Sequence, residues 1–364
     1  MALDLPDFPW DSLLPFRATA NSHPDGIADL AIGSPVDPVP AIIRAALADA
    51  VDTPGYPATQ GSPELRTAIV DWHARRGIPL DAVNTLPTIG SKEFIALLPT
   101  LLGLGPGDVV VIPTLAYPTY AVGAGIVGAE VLPSDEPDDW PENTRLVWLN
   151  SPGNPDGRVH GLEFLRRAVV RARELGAVIA NDECYTELNW DGETPTPSIL
   201  DPEVTQGSRR LTLAVHSLSK RSNLAGYRAG FIAGCSDLVG ELLEARKHAG
   251  LIPPAPVQYA MAVALADDAH VAEQKARYGA RRAQLVAALE GAGLRIDESR
   301  AGLYLWATRD EDCWATVAAF AELGILVTPG EFYGEAGRRH VRISLTATDE
   351  RVAAAASRLA ASSN

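Results

Sequence analysis

The chain has 364 residues, 46% hydrophobic and 21% charged, which suits a large globular domain plus a smaller one. A net charge of −15 argues against nucleic acid as a partner, because a phosphate backbone selects basic surfaces. The three cysteines lack paired spacing and the seven histidines form no His-Glu-x-x-His pattern, so neither a disulfide framework nor a metal centre is expected.

The amino-terminal run Met1–Trp10 has no basic stretch followed by an apolar core, and no apolar stretch is long enough to span a membrane. A cytoplasmic protein without a signal peptide is the expectation. The proline-rich residues 1–40 are expected to pack on the smaller domain. Apolar residues at helical spacing predict a helix over Ser91–Leu102. Short apolar runs predict buried strands at Val109–Ile112, Leu146–Leu149, Ala177–Ala180, Leu211–Val215 and Gly230–Ala233. A solvent loop is expected over Pro133–Glu142, and a second amphipathic helix over Gly161–Leu175. Strands alternating with helices imply an α/β domain over residues 41–255, with a mostly parallel sheet covered on both faces. After Gly250 the prolines 253, 254 and 256 break the chain. One long helix over Val257–Glu290, a strand at Gly302–Ala307, a helix at Trp314–Leu323, a strand at His340–Leu345 and a last helix at Asp349–Ala360 make residues 256–364 a smaller α+β domain.

In such a sheet the ligand lies beyond the carboxyl ends of the strands. The most informative run falls there: His-Ser-Leu-Ser-Lys-Arg-Ser-Asn-Leu-Ala-Gly-Tyr-Arg-Ala-Gly, from His216 to Gly230. It places Lys220 at the end of an apolar strand, between hydroxyls and ahead of an arginine. Lysine is scarce in this chain, occurring only at positions 92, 220, 247 and 275. An amine can lose its proton and attack a carbonyl where a guanidinium cannot. The grouping suits a lysine that forms an imine with an aldehyde while its neighbours hold a phosphate. The run resembles the lysine motif of class I pyridoxal 5'-phosphate (PLP) aminotransferases. The resemblance implies PLP fold type I, with a seven-stranded sheet and Lys220 as the catalytic amine.

A PLP site needs a carboxylate to keep its ring nitrogen protonated. Asp182 follows a predicted strand and is the candidate, with Glu183 beside it as the alternative acid. The phosphate needs a cradle. Gly90-Ser91-Lys92 opens a predicted helix, where unpaired N–H groups and the helix dipole favour an anion. Ser217, Ser219 and Arg228 would complete it, the arginine through two parallel bonds. Taken alone, Gly-Ser-Lys is an ordinary helix cap, and Lys92 needs no phosphate contact.

Other roles are implied by the resemblance. Tyr117 matches the aromatic that stacks on the cofactor ring. Asn154, in the turn-forming Asn150–Gly157 run, and Tyr185 match the donors to its phenolate oxygen. Arg342 matches the fork that grips the substrate α-carboxylate, with Gly33 over the same carboxylate and Asn154 near it. Tyr56 matches the tyrosine that reaches the phosphate of a neighbouring subunit, which implies a homodimer with shared active sites.

The motifs run from Gly33 to Arg342. Within the family the chain looks most like the actinobacterial N-succinyldiaminopimelate aminotransferases of lysine biosynthesis, on the segments Leu5–Asp11, His216–Phe231, Arg246–Gly250 and Arg342–Arg351. The implied reaction passes the amine of glutamate to N-succinyl-2-amino-6-oxopimelate. One departure matters: His248–Gln258 contains no arginine, where aspartate aminotransferases carry one for the side-chain carboxylate. Lys247 or an arginine from elsewhere in the chain, such as Arg17, is the expected substitute. The alternatives are a transaminase with another amino-acid/2-oxo-acid pair, a PLP-dependent C–S lyase, and a ligand-sensing domain without catalysis.

Overall fold

A computed structural model describes Leu5, residues 7–192 and residues 196–362. Met1–Asp4 and Pro6, on which part of the amino-terminal reading falls, lie outside the described residues.

Seven strands form the main sheet, in the order Thr85–Ile89, Ala229–Gly234, Thr212–Ser217, Val178–Asp182, Thr144–Asn150, Val109–Ile112 and Glu130–Pro133. Only Ala229–Gly234 runs against the rest, pairing antiparallel with both neighbours. The central strands are buried along almost their whole length, as expected of a sheet covered on both faces. Helices fill those faces. Gly90–Leu101 and Thr119–Val127 supply Phe94, Ile95, Leu98 and Tyr120 to one core, and Leu162–Leu175 supplies Leu165, Ala168 and Val169 to the other. The sheet's edge strands were not legible in the sequence. Thr85–Ile89 is interrupted by Pro87, which an edge strand tolerates. Glu130–Pro133 is only partly buried and falls partly inside the expected loop.

The smaller sheet orders Thr328–Pro329, Val341–Ser344, Tyr304–Thr308 and Arg295–Asp297, all antiparallel. Helices Ala269–Gly291, Cys313–Glu322 and Asp349–Ser362 pack around it. Ala28–Asp29 pairs in parallel with Ile325–Leu326, and helix Leu14–Asn21 packs on Cys313–Glu322.

The single helix expected over Val257–Glu290 is two, Ala255–Ala266 and Ala269–Gly291. Asp267 leaves the helical conformation at φ −113°, ψ 111°. Its carboxylate accepts the Ala269 N–H at 3.0 Å and pairs with His270 Nδ1 at 2.8 Å, a local alternative to helix continuation. The first of the two helices packs against Ala41–Asp49 and Pro63–Ala74.

Candidate active site

Three neighbouring strands end at one place. Asn150, Asp182 and Val215 are consecutive partners across the sheet, so the chain beyond each strand opens into the same cavity of about 370 Å³. Lys220, Asp182, Ser91, Lys92, Tyr117, Asn154, Tyr185, Ser217, Ser219, Arg228, Gly33 and Arg342 all line it.

Lys220 sits on the short helix Leu218–Arg221, directly after strand Thr212–Ser217. Its Nζ donates to the Gly33 carbonyl. Burial lowers its pKa below the ordinary lysine value, and Arg342 and Arg228 push the same way against Tyr304 and Cys184. A lysine so placed gives up its proton more readily than a solvated one.

Asp182 ends its strand with its carboxylate in the cavity. It accepts from Tyr120 Oη at 3.0 Å and from the Cys184 N–H at 3.2 Å. Burial nonetheless raises its pKa, so a cation beside it would be strongly favoured. Strand alternation turns Glu183 to the opposite side. There Oε1 accepts from Asn181 Nδ2 at 2.9 Å, Ser198 Oγ at 3.0 Å and the Ile199 N–H at 2.8 Å. Of the two candidate acids only Asp182 faces the cavity.

The anion cradle is built from backbone and hydroxyls. Helix Gly90–Leu101 points its amino terminus at the site. Gly90 does not line the cavity; it makes room. Its φ is +69°, and a Cβ there would come within 2.5 Å of Arg228 Nη2. Arg228 itself donates to the Ala225 carbonyl at 2.9 Å. Ser217 Oγ accepts the Ser219 N–H at 3.1 Å, which fixes both serines at the strand end. Hydroxyls, helix N–H groups and a guanidinium thus line the same cavity as the amine and the carboxylate.

Arg342 lies on strand Val341–Ser344 and is only 3% exposed. It donates to Asn154 Oδ1 at 3.0 Å and to the Ala31 carbonyl at 2.7 Å. Asn154 is held in turn, its N–H bonded to Asn150 Oδ1 at 2.8 Å. Tyr185 places its hydroxyl 3.4 Å from that of Tyr304. Tyr117 meets Tyr120 edge-on at 5.9 Å, and Tyr120 stacks on Trp148 at 5.1 Å, which gives the wall a rigid backing.

Tyr56 lies outside the cavity, with a relative exposure of 102%. Neither expected distal cation reaches the site: Arg17 pairs with Asp29 at 2.7 Å and Lys247 with Glu244 at 2.6 Å. Lys92 does reach it, 5.9 Å from the ring centres of both Phe8 and Tyr117. Phe8, Trp10, Cys184 and Tyr304 line the cavity without having been singled out in the sequence. Tyr304 lay in a predicted strand, but its meeting with Arg342 depends on cross-strand register, which one strand cannot reveal.

These residues fit PLP: an amine for its aldehyde, a buried carboxylate for its ring nitrogen and a donor cradle for its phosphate. The aminotransferase class I and II family matches residues 25–359. The chain belongs to this family. The 4-dedimethylamino-4-oxo-anhydrotetracycline transaminase of Streptomyces rimosus is 56% identical over 98% of the chain and 99% of its own length. A protein of Mycobacterium tuberculosis described as a probable aminotransferase is 55% identical over 99% of the chain and 86% of its own. Among solved structures, a probable N-succinyldiaminopimelate aminotransferase from Thermus thermophilus superposes with a TM-score of 0.86 at 27% identity, covering 97% of this chain and 100% of that one. The chain is a PLP-dependent aminotransferase. No helix among the described residues is long and apolar enough to cross a membrane.

Proposed function

We propose that this aminotransferase carries the amine of glutamate to N-succinyl-2-amino-6-oxopimelate, giving N-succinyl-LL-2,6-diaminopimelate and 2-oxoglutarate. When bound, PLP supplies an aldehyde for the substrate amine and an electron sink for the α-carbon. Lys220 would take the α-proton and return it to the carbon on the other side of the nitrogen, two atoms along, and its burial favours the unprotonated amine that this requires. Asp182 holds the proton on the ring nitrogen. Asn154 and Tyr185 donate to the phenolate oxygen, and Tyr117 covers the ring and excludes water. Ser91, Ser217, Ser219 and Arg228 hold the phosphate, with the Gly90-Ser91-Lys92 backbone. Arg342 and Gly33 bind the α-carboxylate.

The observation that carries the substrate reading is the charge inventory of the cavity. Arg228 is committed to phosphate and Arg342 to one carboxylate, which leaves Lys92 for a second anionic group at the mouth. Among the described residues no ion pair occupies Lys92. The Thermus structure, by its description, supports the same reading. Tyr56, fully exposed on one chain, serves the phosphate of a second copy, so the working form is a homodimer. Three free cysteines suit a reducing cytoplasm.

A second reading has its own support. The Streptomyces relative is named for a polycyclic ketone and is 56% identical, and Phe8, Trp10 and Tyr117 ring the mouth with flat apolar faces. Purified enzyme should be assayed with glutamate against N-succinyl-2-amino-6-oxopimelate, simple 2-oxo acids and 4-dedimethylamino-4-oxo-anhydrotetracycline. The highest kcat/KM is expected for the first, and preference for the polycycle would replace it. Lys220→Ala should abolish turnover and the visible absorbance of the bound cofactor; sustained transamination by that variant would end the assignment. Keto-acid release without any acceptor would instead mark a lyase.

A further inference from the structure

Arg342 presents a physical problem. It is nine-tenths or more buried and, among the described residues, no carboxylate lies within ion-pair reach. A buried guanidinium ordinarily has an acidic partner, because burying an uncompensated charge is costly. Here two neutral oxygens, Asn154 Oδ1 and the Ala31 carbonyl, take one N–H each. Its Nε has no acceptor. What faces the cation instead is aromatic: the guanidinium carbon lies 4.0 Å from the ring centre of Tyr304 and 5.1 Å from that of Tyr333. An internal carboxylate would stabilise Arg342 but compete with the ligand for it. A ring face stabilises the charge and leaves its hydrogen-bonding edge free.

We propose that Tyr304 is a positioning residue for the α-carboxylate site, its ring standing in for a counter-ion beneath Arg342 and the far edge of the same ring packing against the Gly33 backbone. The second half of the proposal rests on contact. A Cβ on Gly33 would collide with the ring edge of Tyr304, within 2.9 Å of its Cε1 and 2.8 Å of its Cζ, so the chain at Gly33 lies directly against that ring. The same Gly33 carbonyl receives Lys220 Nζ. One side chain therefore touches both jaws of the carboxylate site, the arginine from below and the glycine from the side. Register explains how: Trp306 pairs with Arg342 and Tyr304 with Ser344, so Tyr304 is diagonal to Arg342 across the small sheet, within reach of an aromatic side chain.

The proposal rests on the reading that Arg342 grips the α-carboxylate, and the test separates the two. The measurements are KM and kcat for glutamate, inhibition by glutarate (carboxylates without an amine), and the absorbance change caused by butylamine (an amine without a carboxylate). Tyr304→Phe keeps the ring and should stay within about twofold of the parent for all three. Tyr304→Leu should raise the glutamate KM and the glutarate Ki about tenfold or more, change kcat less, and leave the butylamine response as it was. Tyr304→Met fills the same space without a π face and is read in the same way should the leucine variant fail to retain cofactor. Equal weakening toward glutamate and butylamine would show a structural role only and overturn the proposal. So would a Tyr304→Phe variant as impaired as Tyr304→Leu, since the ring would then not be the agent. If Arg342→Ala leaves glutarate inhibition unchanged, the carboxylate reading itself fails and takes the proposal with it.

Discussion

Asp182 and Glu183 are adjacent acids with opposite surroundings. Asp182 reaches the cavity; Glu183 is buried behind the sheet beside His216, His73, Arg76 and Arg221, with its Oε2 3.8 Å from His216 Nε2. Burial pushes the Glu183 carboxyl up to about 8, against three hydrogen bonds that favour its ionised form. An unfolded glutamate loses its proton near 4.5. Between these values the folded protein keeps a proton that the unfolded chain has released. This contribution to stability therefore falls as pH rises from 4.5 to about 8, by at most about 1.4 kcal/mol per pH unit. Glu183→Gln should flatten that stretch of the pH–stability curve in urea titrations, and parallel curves for the two proteins would refute the account. Residues of this kind divide by what makes them visible. Lys220, with its serines and Arg228, could be read because its chemistry is written in one contiguous run. Asp182 could be ranked above Glu183 by resemblance, but the side each faces needed the pleat. Tyr304 could not be found at all, because its partner is thirty-odd residues away in another strand.

Among the elements, the helix Gly90–Leu101 depends most on one residue. Gly90 adopts a positive φ that only glycine takes cheaply, and it lies against Arg228. Alanine there adds backbone strain of roughly 1–2 kcal/mol and a methyl group where the guanidinium now sits. Gly90→Ala is expected to weaken retention of the cofactor at least severalfold while leaving the fold intact; titration of the apoprotein with PLP, followed by absorbance, measures it, and unchanged affinity would show that the arginine can move aside at no loss. Helix periodicity made this element legible. It failed at Asp267–Asp268, where alanine and arginine on both sides continue the helical pattern and only the side-chain bonds of Asp267 interrupt it. It also missed Thr85–Ile89, because Pro87 argues against a strand unless that strand is known to be an edge.

For the molecule as a whole, the exposure of Tyr56 is the informative feature, since a fully exposed tyrosine is not packed by its own chain. If its hydroxyl completes the site of a partner, two defective chains can repair each other. A Lys220→Ala chain lacks an amine but offers an intact Tyr56; a Tyr56→Ala chain has the amine and lacks the donor. Dissociated and reassociated together, they should show more activity than the sum of the separate preparations. Strict additivity would place Tyr56 outside any shared site. The expectation of a dimer came only through resemblance, since a single chain's sequence does not mark which tyrosine is turned outward.

The main sheet is drawn without interruption from Thr85 to Gly234, whereas Arg342 and its tyrosines come from the last sixth or so of the chain. During synthesis, then, the ribosome delivers every strand of the main sheet long before the arginine proposed for the α-carboxylate exists. A nascent chain paused after residue 266 would already own Lys220, Asp182 and the donors around Arg228, yet lack Arg342 and the rings that face it. The arginine proposed for the α-carboxylate is the final part of the site this polypeptide acquires.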